Sequence, residues 1–111
     1  MPQETLNSAL FDYIVLVEKR PGMHIGSKRV YDLFLHLGGW WAHGRLFEDN
    51  DQFADHFFEE FHGFVGRHYK DRRSIGWAGL IQENSGSEEE EFPIFMEFLR
   101  RFAAEFSARS G

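Results

Sequence analysis

At 111 residues the chain has the length of one domain and can bury a core without disulfide or metal staples. Its 42% apolar content, enriched by 13 Phe, provides enough burial to offset ordering entropy, which excludes a disordered chain. Cysteine is absent, so disulfides, thiolate metal sites and Cys nucleophiles are excluded together, and a reducing, cytoplasmic location is expected. A formal net charge of −6, from 18 acidic and 12 basic side chains, argues against nucleic acid as a partner. No window approaches the roughly 18 uninterrupted apolar residues of a membrane span, and the opening MPQETLNS lacks a basic-then-apolar signal, so neither membrane nor secretion is expected.

The first helix is predicted over Thr5 to Arg20, where Leu6, Leu10, Tyr13, Ile14 and Val17 recur on one face and Pro21-Gly22 provides a stop. Ser27 is placed to cap a second helix with Val30, Leu33, Phe34, Leu37 and Trp41 at the same period. Gly38-Gly39 should weaken this helix, marking its end or a close packing contact. A polar loop through Asn50 leads to the clearest helix, from Asp51 to about Tyr69, with Phe53, Phe57, Phe61, Phe64 and Val65 on one side. The basic DRRS loop follows, and Trp77, Leu80 and Ile81 suggest a short helix after Ser74, with a short strand as the alternative.

Asn84 to Ser87 is turn-forming, and the acidic run Glu88 to Glu91 suits a helix N-terminus. Pro93 is expected in the first turn of that helix, which continues with a stripe of Phe95, Phe98, Leu99, Phe102 and Phe106. Arg100, Arg101 and Arg109 fall toward its C-terminal end, where cations are favoured. The expected fold class is therefore all-α, a single compact domain of four or five helices around a Phe-rich core.

The segment Lys19, Arg20, Pro21, Gly22, Met23, His24, Ile25, Gly26 has a structural reading, in which Pro and Gly end one helix and prepare the next. It also resembles the K-R-P-G-M-Y-I-G stretch of DNA gyrase B ATPase domains, with His24 in the Tyr position. That resemblance covers eight residues only. The Glu and Asn that the next helix of that family provides are missing from VYDLFLHLGGWWAHG, as are the later phosphate-binding motifs, so ATP hydrolysis is not expected.

Over the whole length the chain resembles small, largely uncharacterised bacterial proteins with the same start, followed by an F-x-x-F-H-x-F-V stretch, a G-W-A segment and a Phe-rich C-terminal helix. Phe58 to Val65 and Gly76-Trp77-Ala78 carry the resemblance here. Some such proteins lie beside toxin genes and are regarded as immunity proteins, which implies a non-enzymatic inhibitor of a toxin.

Glu59-x-x-His62 looks like half of a di-iron carboxylate motif and shares the polar side of its helix with Asp55, but no second Glu-x-x-His faces it, so no metal or other cofactor is expected. His68, near the apolar arc, is read as a packed or dipole-favoured histidine. No nucleophile elbow or Gly-rich phosphate loop is present, and no enzyme is expected.

The charge pattern says more. Glu48, Asp49, Asp51, Asp55, Glu59 and Glu60 fall between Phe47 and Gly66 without any Lys or Arg, and Glu83 with Glu88 to Glu91 forms a second block. These blocks are either solvated faces or a docking surface for a basic protein such as a nuclease toxin. Trp40 and Trp41 point roughly 100° apart on a helix, so one of them is a candidate partner anchor or covers a loop edge. A second functional class, a small nucleotide- or anion-binding domain, would use the Lys19 to Gly26 loop with Lys28 and Arg29 nearby.

Overall fold

The computed structural model describes residues 8–20, 29–46 and 52–110, with side chains for 8–20, 29–39 and 52–108. These residues form five helices and no strand: α1 (Ala9–Lys19), α2 (Val30–Leu46), α3 (Gln52–Tyr69), α4 (Gly76–Asn84) and α5 (Glu88–Ser110). The fold is all-α, as the 3.6-residue periodicity predicts, and the segment after Ser74 is a helix.

Local chemistry sets the boundaries. Ser8 caps α1 by accepting the Phe11 N–H at 3.1 Å, and at the other end Arg20 N–H donates to the Val17 carbonyl at 3.1 Å. The predicted stop at Pro21-Gly22 and the Ser27 cap lie outside the described residues. Gly38-Gly39 does not end α2, which runs on to Leu46, and among the described residues nothing stands within 4 Å of a Cβ at either glycine. Pro93 is likewise not in the first turn, because α5 already begins at Glu88. Its missing N–H leaves the Glu89 carbonyl without the usual helical donor, which is tolerable because Glu89 is exposed.

At the C-terminus of α3 the backbone turns through a left-handed residue. Lys70 has φ 56°, and beyond it Asp71 N–H donates to the Gly66 carbonyl at 3.0 Å while Lys70 N–H reaches Arg67 O at 3.3 Å. This pair of bonds is the Schellman arrangement, with lysine where glycine is usual. Gly66 is required by the same turn: a Cβ there would stand 3.0 Å from the Asp71 carbonyl oxygen.

Each helix contributes to one apolar cluster, with Leu10, Ile14 and Val17 from α1 and Val30, Leu33 and Leu37 from α2. At its centre Phe61 is fully buried, stacked on Phe57 at 4.6 Å and edge-on to Trp77, Phe95 and Phe102 at 5.4, 5.7 and 5.2 Å. Such edge-to-face contacts add to area burial by about 0.5–1.5 kcal/mol each. The short helix α4 packs on α2, α3 and α5, with Trp77 stacked on Phe95 at 5.0 Å. Polar ties supplement this packing between α1 and its neighbours: Tyr13 Oη and His36 Nε2 share a hydrogen bond at 2.6 Å, and Arg100 approaches Glu18 at 3.4 Å. No described helix is long and apolar enough to cross a membrane.

Candidate protein-docking surface

The structure divides the acidic side chains into two groups. Those of the second block are mostly engaged within the molecule. Glu83 pairs with Arg73 at 2.6 Å, Glu88 with Arg29 at 3.3 Å, and Glu90 accepts the Gly86 N–H at 2.8 Å. Glu91 is turned inward, its side chain only 2% exposed. It accepts the Val30 N–H at 3.0 Å and pairs with Arg29 at 3.0 Å, so a carboxylate from α5 caps α2. The hydrogen bond to Glu91 raises the Arg29 pKa above its ordinary value, outweighing the cost of partial desolvation. Of the Glu88 to Glu91 run, only Glu89 has no ion pair or hydrogen-bonded side chain among the described residues.

The register of Glu91 on its helix accounts for its burial. Glu91 stands four residues before Phe95 and eight before Leu99, so it heads the buried stripe of α5. An acid in that register needs a donor, and the amides opening another helix provide one.

Asp55, Glu59 and Glu60 form the other group. All three are exposed on the outer side of α3, and none has an ion pair among the described residues. Their neighbour His56 is not a free ligand: its ring stacks on Phe102 at 4.9 Å and leans on Phe106 at 5.3 Å. Among the described residues no three His, Asp or Glu side chains converge on a point. Glu48, Asp49 and Asp51 lie outside the described residues. Trp40 and Trp41 fall within α2, but their side chains are outside the description.

Further along α3 the charge changes sign. Arg67, Lys70 and Arg72 are exposed and line an open groove of about 730 Å³ together with His62, Gly63, Gly66 and Asp71. The Asp71 carboxylate is taken by Arg73, at 2.7 Å to Nη2 and with a second bond to its backbone N–H at 2.9 Å. These hydrogen bonds, aided by nearby positive charge, hold Asp71 down from 3.8 to about 2. Hydrogen bonds to Asp71 and Glu83 raise Arg73 above its ordinary value. His62 Nδ1 is buried without a hydrogen-bond partner among the described residues.

Beside this groove, His68 is exposed but sets its ring edge-on to Phe98 at 4.9 Å, lining a smaller cavity of about 190 Å³ with Tyr69, Ile94 and Arg101. Burial pushes the Tyr69 hydroxyl up from its ordinary value. Of the Lys19 to Gly26 loop, Lys19 and Arg20 are exposed, whereas Pro21, Gly22, Met23 and Gly26 lie outside the described residues. Arg29, which was to add charge there, is committed to Glu91 and Glu88.

Comparison with known proteins adds no relative: no protein-family model, curated protein or solved structure matches the chain.

Proposed function

We propose that this chain is a non-enzymatic protein-binding domain that docks a basic protein through the acidic face of α3, as an immunity protein or antitoxin would cover a basic toxin in the cytoplasm. One observation carries the reading: Asp55, Glu59 and Glu60 stay exposed and unpaired among the described residues, while the acids Glu83, Glu88, Glu90 and Glu91 serve internal contacts. Acids that hold the fold together are unavailable to a partner. Acids left without internal bonds create a field that steers a basic protein, accelerating association by about 10- to 1000-fold at low ionic strength.

The test is capture from an extract of the native host on immobilised protein, comparing the wild type with Asp55→Lys/Glu59→Lys/Glu60→Lys. A basic protein should bind the wild type, dissociate as salt rises, and associate at least about tenfold more slowly with the variant. Helical content should be unchanged. Equal association rates for the two would exclude this face as the docking surface.

A further inference from the structure

We infer that α3 also pairs with α3 of a second copy of this chain, antiparallel and centred on Gly63. This goes beyond docking to a foreign protein and shares only the acidic residues with that reading. The outer side of α3 is segregated by charge: Asp55, Glu59 and Glu60 on the N-terminal half, Arg67 and Lys70 toward the C-terminal end. Within one helix these groups cannot meet, since Glu59 and Arg67 are eight residues and therefore about 12 Å apart along the axis. Asp55 and Glu59 instead stand four residues apart, where like charges repel. The arrangement gives up the helix's own i,i+4 ion pairs.

A second α3 running antiparallel resolves this. Gly63 lies midway between Glu59 and Arg67, so a two-fold axis at Gly63 sets each Glu59 against Arg67 of the other copy. The same operation puts Lys70 opposite the turn containing Asp55 and His56. Gly63 has no side chain of its own, and the Arg67 guanidinium fills the space over it, with Nη1 3.4 Å from where a Cβ would be, which holds this cation at the middle of the helix face. The groove beside it is floored by Gly63 and Gly66 and edged by Arg67, Lys70 and Arg72, all without an ion pair among the described residues. Its one carboxylate, Asp71, is neutralised by Arg73. The concavity therefore offers cations to the glutamates of the facing helix, and two-fold symmetry repeats every contact. Self-pairing hides the acidic face, so a basic protein must displace the second copy to reach it.

Sedimentation velocity on the purified chain tests this. At about 0.01 M salt, where exposed charges act over tens of ångströms, a species of twice the 13.1 kDa chain mass is expected, and near 1 M salt only the single chain. Glu59→Arg alone and Arg67→Glu alone should each remain at the single-chain mass, whereas their equimolar mixture should regain the doubled mass because both inter-chain pairs are again complementary. A wild type that stays at 13.1 kDa in low salt overturns the inference, as does a mixture that fails to associate, including one in which the groove binds inorganic phosphate and nothing else. Neither result bears on capture of a foreign protein, which is read separately.

Discussion

The Glu91 carboxylate accepts the backbone N–H of Val30 at 3.0 Å, joining two residues 61 apart in sequence. It caps α2 and neutralises Arg29 from a nearly water-free position. Glu91→Ala removes the cap and takes the buried carboxylate away from Arg29, so it should lower stability by about 2–3 kcal/mol in urea unfolding. Glu91→Gln keeps an acceptor for Val30 and should cost about 1 kcal/mol.

Asp71 links the loop after α3 to acid sensitivity. Its pKa is held at about 2, below the ordinary 3.8, by hydrogen bonds from Arg73. A carboxylate depressed on folding contributes stability that is full above the unfolded value and fades as pH falls through the folded one. Asp71→Asn should therefore be less stable than the wild type at pH 7, with the difference shrinking between pH 4 and pH 2. Urea midpoints measured across that range check this, and a gap independent of pH would contradict it.

Lys70 occupies left-handed backbone at φ 56°, where an L side chain is disfavoured. Its side chain is exposed and forms no ion pair among the described residues. Lys70→Gly should raise stability by about 0.5–1 kcal/mol, the relief of strain being partly offset by the freer unfolded chain. Thermal unfolding would register the increase.

Phe61 and Asp55 share a helix but should respond oppositely to truncation. Phe61→Ala empties the site where α3, α4 and α5 meet and should cost about 3–5 kcal/mol, a large share of the total for a domain of this size. Asp55→Ala should stay within about 0.5 kcal/mol of the wild type. Chemical denaturation of the pair separates a residue that builds the fold from one that does not.

The helices were legible in the sequence because apolar spacing is read directly from side-chain type: Phe57, Phe61, Phe64 and Val65, at offsets of 4, 7 and 8, share one side of a helix but would be split between the two faces of a strand. What could not be read was which polar residues would be used by other elements. Nothing local to Arg29 and Glu91 shows that they meet, since that depends on how α5 lies against α2. The acidic run that opens α5 therefore looked like surface, although one member is buried and two others are bonded internally. Gly38-Gly39 shows the reverse error, in which local propensity suggested a break that the surrounding helix overrode. Asp55, Glu59 and Glu60 were legible as an exposed set because α3 has strong periodicity and the opposite face was already assigned to Phe.

Helix α4 has only nine residues and begins after Ile75 without a side-chain cap, so in isolation it would be almost entirely unfolded. Its persistence depends on Trp77 being enclosed by Phe57, Phe61 and Phe95 from two other helices. The amides of α4 should consequently have no private opening route: their hydrogen exchange should follow that of the middle of α3, making this nine-residue helix a reporter of global unfolding.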